Sequence, residues 1–522
     1  MPITAFLEKN ADLYPNDICL VERTPAENAR RAITWKEFDD AANRFANLLL
    51  SYGVTKGDKI AILLTNCLEW LPIYFGILKT GALAVPFNFR YSAEEIANCL
   101  KISDSSLLIY GSEFIERIES ISDFLQLKKR IFVGDGHPAL TVRYEEEAAN
   151  MSSARPNIAI DDEDDGALYF TSGTTGVPKA ILHRHKALVC ACVTEQAHHS
   201  QTKDDTFLCI PPLYHTGAIM HWFGSLLVGG KGVLMRGVKP QWILQAVSEE
   251  QISIIWLLVP WAQDLLDAID RGDIDLSQYD LSRLRLMHIG AQPVPPSLVN
   301  RWLKRFPTHQ YDTNYGLSES IGPGCVHLGV ENTHKVGAIG VPGYRWQVRI
   351  VDSNANDVKD GDVGELAVKG DGVMKCYYKD EKATNRSIKD GWLLTGDMAM
   401  KDKDGFIYLV DRKKDLIISG GENIFPVQIE DHIRQHDAVK DVAVIGIPDQ
   451  RLGEVVAAII EIKKGFSCTE EEMRLHCETL PRYKRPHTIL FEKVPRNPTG
   501  KIEKPLLRRM YGGGNLIIAQ MK

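Results

Sequence analysis

Hydrophobic positions in the first third of the chain alternate between two periods. Thr34-Trp35-Lys36-Glu37 has the form of a capping box. Phe38, Ala41, Ala42, Phe45, Leu48 and Leu49 follow at helical spacing and predict a helix to about Tyr52. Residues 59–64 read as a strand, 67–79 as a helix carrying Trp70, Tyr74 and Phe75, and 82–86 as a strand. Ser92-Ala93-Glu94-Glu95 caps another helix, and 106–110 is a strand. This alternation predicts α/β layers with parallel strands. From Gly337 to about Asp411 short alternating strands, among them 348–351 and 364–368, are separated by Asp-Gly turns, which predicts a small antiparallel sheet or barrel. The charged run Asp411-Arg412-Lys413-Lys414-Asp415 lies between two apolar strands and marks a domain boundary. The segment beyond it has its own strand signal at 441–446 and is long enough for an independent α+β domain, with Gly512-Gly513-Gly514 expected to fray.

Composition narrows the function classes. The chain has 522 residues, too many for one core and enough for about three lobes of ~150 residues. Its apolar content of 44% and charged content of 25% are those of an ordinary globular protein. A net charge of −7 argues against broad affinity for nucleic acid or anionic membranes. The N-terminus lacks the basic start and apolar core of a signal peptide, and the longest apolar run, about 252–262, contains Pro260 and is far short of the ~20 residues of a membrane helix. A cytoplasmic location with no integral membrane segment is expected. The ten cysteines include one close pair, Cys190 and Cys192, with no second pair nearby, so neither a zinc site nor a disulfide framework is expected. The fifteen histidines show no metal-ligand spacing, and no protein-held transition metal is expected.

The most informative stretch is 169–179, Tyr-Phe-Thr-Ser-Gly-Thr-Thr-Gly-Val-Pro-Lys. Gly173 and Gly176 let the backbone bend its N–H groups toward an anion, Thr171, Ser172, Thr174 and Thr175 add hydroxyl donors, and Lys179 adds a positive charge. The apolar run 167–170 reads as a buried strand that launches this phosphate-wrapping loop. It is not a Walker A motif, because Pro178 precedes the lysine and Ala180 follows it.

Seven further stretches follow in order: Pro-Leu-Tyr-His-Thr-Gly (212–217), Gly-Ala-Gln-Pro (290–293), Tyr-Gly-Leu-Ser-Glu (315–319), Thr-Gly-Asp (395–397), Asp-Arg-Lys-Lys-Asp (411–415), Ser-Gly-Gly-Glu-Asn-Ile (419–424) and Pro-Arg-Asn-Pro-Thr-Gly-Lys (495–501). Together with the loop they resemble the AMP-forming acyl-CoA synthetase family, the adenylating group that includes peptide-synthetase adenylation domains and firefly-type luciferases. The resemblance spans nearly the whole chain. It implies a large N-terminal domain, 1–412, of layered α/β subdomains with a small antiparallel barrel-like subdomain. A hinge at 413–414 and a small mobile α+β C-terminal domain, 415–522, complete it. It implies ATP, Mg²⁺ and coenzyme A as cofactors and a small carboxylic acid as substrate. In such a reaction a carboxylate attacks the α-phosphate of ATP to give acyl-AMP and pyrophosphate, and a thiol then takes the acyl group and releases AMP.

The same resemblance distributes roles. The 171–179 loop would cradle the β- and γ-phosphates. Glu319, with Thr171, would hold Mg²⁺, and Ser318 would offer a hydroxyl to the α-phosphate where the family usually has threonine. Tyr315 would stack on adenine beside Asn314 and Gly316, with Gly290, Ala291 and Gln292 as the opposite wall. The family more often has Gly-Ala-Pro there. Asp397 would accept the ribose hydroxyls with Arg412 nearby. Lys501 would bridge the carboxylate and the α-phosphate. Lys414 would occupy the hinge, with Gly420 and Gly421 lining a pantetheine tunnel, and His215 would gate it. His221, Trp222 and Trp256 would bound the acid, expected to be short-to-medium, cyclic or aromatic. Lys501 also lies in a context resembling acetylated lysines and is a candidate target for a lysine acetyltransferase. Two alternatives stand beside the CoA synthetase: a stand-alone adenylation enzyme loading a carrier protein, and a non-catalytic nucleotide-binding sensor.

Overall fold

A computed structural model describes residues 1–122, 127–171, 178–290, 294–322, 324–420, 422–496 and 502–512, apart from the Asn423 side chain. The chain forms two compact units: Met1–Val348 with Val368–Leu393, and Arg349–Ala367 with Leu394–Lys522.

The first unit is built on two large sheets. The central strands of one, Asp165–Thr171, Leu83–Pro86, Lys59–Leu63, Leu107–Gly111 and Lys129–Val133, are parallel neighbours, and Lys179–Arg184 and Cys376–Tyr377 extend it antiparallel. The other runs through Gln310–Tyr315, Leu286–Gly290, Ile254–Leu258, Thr206–Cys209 and Lys231–Met235, again parallel. Strands buried on both faces need apolar side chains on both, and Ile60, Ala61, Ile62 and Leu63 are fully buried in succession.

The helices obey their sequence signals. Trp35–Ser51 starts at a closed capping box between Thr34 and Glu37, and Ala93–Ser103 at one between Ser92 and Glu95. The helix expected from residue 67 begins at Trp70 instead. The Leu68 N–H donates to Glu22 Oε2 at 2.8 Å and Arg31 Nη1 donates to Glu69 Oε1 at 2.7 Å, which holds the first residues of the apolar run outside the helix. Lys79 ties three helices together. Its fully buried ammonium donates to Asp39 at 2.7 Å and to Glu8 at 2.8 Å, and Arg155 Nε reaches Asp39 at 3.1 Å.

The antiparallel segment expected after Gly337 is present. Trp392–Lys401 pairs antiparallel with Ile407–Arg412, and Val363–Lys369 lies on the other side of Trp392–Lys401. The C-terminal part carries a long antiparallel hairpin, Val439–Asp449 with Gly453–Ile462, joined by the parallel strand Thr488–Phe491. Alternate residues of the hairpin feed two cores. Val442, Val444, Val456 and Ala458 pack with Ile429 and Ile433, while Ala443, Ile445, Ala457 and Ile459 pack with Leu507 and Tyr511. None of the ten cysteines forms a disulfide, and eight are buried. Among the described residues no helix is long and apolar enough to cross a membrane.

Removing Lys79 would leave the buried Asp39 carboxylate with Arg155 as its remaining ion-pair partner among the described residues. Lys79→Met is therefore expected to cost about 3 kcal/mol in a denaturant titration, and Asp39→Asn added to it is expected to recover part of that loss.

Candidate active site

The phosphate-loop motif is held by a hairpin. Asp165–Thr171 and Lys179–Arg184 pair antiparallel, with Thr171 opposite Lys179. The chain between, with Ser172, Gly173, Thr174, Thr175 and Gly176, lies outside the described residues. Lys179 Nζ stands 4.6 Å over the Tyr377 ring. The Tyr377 hydroxyl in turn donates to Glu319 Oε1 at 2.8 Å. One aromatic residue thus lies between the lysine of the loop and Glu319.

Ser318 and Glu319 sit on a short 3₁₀ turn, Ser318–Ser320, just after the strand Gln310–Tyr315. Its backbone is fixed from two sides. His183 Nε2 donates to the Ser318 carbonyl at 2.7 Å, and the Met374 N–H donates to the Glu319 carbonyl at 2.8 Å. Burial pushes the His183 ring down to about 4, so it is neutral near pH 7. Burial and the neighbouring Glu319 carboxylate raise the Tyr377 phenol, which keeps it a donor. Among the described residues no lysine or arginine forms an ion pair with Glu319, so its charge is free for a cation. The half-buried Glu319 carboxylate, on a turn in contact with the strand Asp165–Thr171, is the hard-oxygen donor type that suits Mg²⁺.

Three strand ends converge on Gly290. A methyl group there would lie 3.2 Å from Asn314 Oδ1, 3.3 Å from Trp256 Nε1 and 3.6 Å from His288 Nε2. Tyr315 is buried at the end of the next strand. At Gly316 a Cβ would stand 1.9 Å from the Gly322 carbonyl oxygen, so only glycine fits. Ala291 and Gln292 lie outside the described residues.

His215 caps the helix Thr216–Val228, its Nδ1 accepting the Gly217 N–H at 3.1 Å. In the neutral ring the proton is then on Nε2. A Cβ at Gly217 would touch both His215 Nδ1 and the Trp256 ring at 3.1 Å, so these two side chains approach each other across that glycine. One turn on, His221 stacks on Trp256 with centroids 4.5 Å apart and planes 10° from parallel. Trp222 faces another way. One residue further turns it about 100° around the helix. It packs instead against Phe38 at 6.1 Å and Phe75 at 6.2 Å in the apolar core.

In the second unit Asp397 and Arg412 are directly opposite on paired strands, with Nε–Oδ1 at 3.3 Å. Asp397 is buried and Arg412 exposed. Lys414 is exposed two residues on. Gly420 has φ +59° and its N–H donates to the Leu452 carbonyl at 2.8 Å. Gly421 and Lys501 lie outside the described residues. Beside this pair Asp411 is buried and accepts the Arg412 N–H at 2.7 Å and the Val427 N–H at 3.0 Å. Burial raises its carboxyl to about 6, against the opposing pull of Lys504, with Glu430 adding to the rise.

Sequence reasoning missed His183 and Tyr377. Tyr377 belongs to a strand of two residues, too short to show a period, and meets the loop hairpin through long-range contacts, its pairing with Ile181 and the approach of Lys179 to its ring. His183 reads as one more residue of an apolar strand.

Residues 7–378 match the model of the AMP-binding enzyme family, and 428–501 match that of the AMP-binding enzyme C-terminal domain. A feruloyl-CoA synthase from Amycolatopsis sp is 33% identical over 94% of this chain and 96% of its own length. A long-chain-fatty-acid–CoA ligase from Mycobacterium tuberculosis is 31% identical over 97% of each chain. The crystal structure of an anthranilate CoA ligase in complex with anthranoyl-AMP superposes with a TM-score of 0.87 at 26% identity, covering 100% of this chain and 98% of that one.

Two outcomes follow from the geometry. Tyr377→Phe removes the donor that orients Glu319, and is expected to weaken Mg²⁺-dependent ATP binding about tenfold by calorimetry, with an unchanged circular dichroism spectrum. Burial holds the Asp411 carboxyl at about 6, above the ordinary aspartate value of about 4. Its protonated form therefore favours folding. That contribution is full below about pH 4 and lost as pH rises through 6, a span of about 3 kcal/mol. Asp411→Asn is expected to flatten the fall in denaturant midpoint between about pH 4 and 6.

Proposed function

The chain belongs to the AMP-binding enzyme family and is an AMP-forming acyl- or aryl-CoA ligase that uses ATP, Mg²⁺ and coenzyme A. From that premise we propose that its acid is compact: short-to-medium, cyclic or aromatic. The stacked pair of His221 and Trp256 carries this reading. Both rings are buried, and Trp256 lies directly behind Gly290 and beside His215. An acyl group entering past Gly290 meets two rigid planes, which suit a ring or a few carbons better than a long flexible chain.

The proposed roles follow the chemistry. The carboxylate oxygen attacks the α-phosphorus and pyrophosphate leaves, so negative charge accumulates where two anions meet. Lys179 and the hydroxyls of the loop, from Thr171 to Thr175, bind the leaving phosphates, and Ser318 donates to the α-phosphate. Glu319 with Thr171 would hold Mg²⁺, which offsets phosphate charge when bound. Tyr315, Asn314 and Gly316 take the adenine. Asp397 accepts the ribose hydroxyls, for which a carboxylate has enough lone pairs, and Arg412 holds it in place. Lys501 places its ammonium between carboxylate and α-phosphate during adenylation, and a turn about Lys414 separates that step from thiolysis. The coenzyme A sulfur then attacks the acyl carbonyl and AMP leaves. His215, its Nε2 carrying a proton, is placed to donate toward the oxyanion of that step.

The test is a panel of benzoate, cyclic acids, linear acids of four to ten carbons, and palmitate, assayed for AMP and acyl-CoA. The highest kcat/KM is expected within the compact set. Lys501→Ala is expected to lose carboxylate-dependent pyrophosphate exchange by at least about 100-fold. A preference for palmitate would overturn the compact pocket.

A further inference from the structure

Behind the wall formed by Gly290 and Asn314 lies a polar cluster with no part in the chemistry above. His199 ends the helix His185–His199. His288 and Asp312 face each other across paired parallel strands, two residues before Gly290 and Asn314. All three side chains are fully buried. His199 Nε2 lies 3.0 Å from His288 Nδ1 and 3.1 Å from Asp312 Oδ2, and the latter two atoms are 3.7 Å apart. A tetrahedral ion with bonds of about 2.0–2.1 Å has ligand atoms about 3.3–3.4 Å apart, so this triangle has the size of one face of such a site.

The surroundings match as well. His199 turns its other nitrogen to Glu195 Oε1 at 2.7 Å. Asp312 accepts the Gly329 N–H at 2.9 Å on Oδ1, and His327 Nδ1 lies 3.0 Å from its Oδ2. Carboxylates and N–H donors that orient ligands are the usual second layer of a metal centre. Charge points the same way. Glu195 and Asp312 are both fully buried, and histidines are their only ion-pair partners among the described residues. Buried carboxylates demand compensation, and one divalent cation neutralises two of them with every histidine neutral. The imidazole-rich donor set selects zinc or a neighbouring transition metal over Mg²⁺.

We propose that His199, His288 and Asp312 bind one divalent transition-metal ion, zinc by its chemistry, which locks the helix and two strands that carry Gly290 and Asn314 into the site. Sequence spacing does not show it, because the ligands come from three elements separated by 89 and 113 positions from His199.

The full chain, purified without metal resin, is stripped with chelator, dialysed against Zn²⁺ or Co²⁺, and analysed for metal. The expected result is about one ion per chain. Co²⁺ should add visible tetrahedral ligand-field bands, and Zn²⁺ should raise the melting midpoint. His199→Gln should retain the circular dichroism of the wild type and lose the bands. Less than about 0.1 ion per chain in folded wild-type protein would overturn the site. So would equal loading and bands in a folded His199→Gln/His288→Gln variant. If both variants fail to fold, the wild-type stoichiometry and the Co²⁺ spectrum alone decide.

Discussion

The position of Glu319 depends on two hydrogen bonds that join the sheets of the first unit. Its turn follows a strand of one sheet, while His183, which holds the turn, and Tyr377, which holds the Glu319 carboxylate, belong to strands of the other. Neither bond is strong; a net 0.5–1.5 kcal/mol is typical, more for the bond to a charge. Their effect is geometric. They bring a carboxylate, a phenol and the loop lysine into one row, and neither sheet could supply that row alone. The hairpin of Asp165–Thr171 and Lys179–Arg184, the Glu319 turn and the strand end at Tyr315 all meet at this junction.

The same junction explains why the strands end as they do. Parallel strands leave their carboxyl ends open beyond the sheet, where α/β folds collect ligands. Gly290, Asn314 and Trp256 come from three adjacent strands and meet at one point. Gly290 and Gly316 have no room for a methyl group without displacing neighbours, and at Gly316 the obstacle is backbone. The site is thus shaped by close approach, with aromatic rings filling what glycine leaves open.

Much of this was legible beforehand. The capping boxes at Thr34 and Ser92, the buried strand at 167–170 and the Asp-Gly turns of the later sheet are local signals, and the structure repeats them. The third helix starts three residues later than its apolar run because Glu22 and Arg31, distant in sequence, hold residues 68 and 69 outside it. Motif order named the family, because eight ordered stretches constrain a chain far more than any one of them.

What the amino-acid sequence determined by itself is therefore what short-range physics determines: periodicity, caps, turns, and loops whose composition suits phosphate. Only the tertiary structure decided which of two adjacent residues, His221 or Trp222, turns toward Trp256, since both lie in one apolar helix and differ by one step of rotation. It alone placed Tyr377 between Lys179 and Glu319, and gathered His199, His288 and Asp312 into one buried cluster. The reason is the same in each case. Contacts between residues far apart in the chain depend on how sheets and helices pack, and packing leaves no periodic trace in the order of the residues.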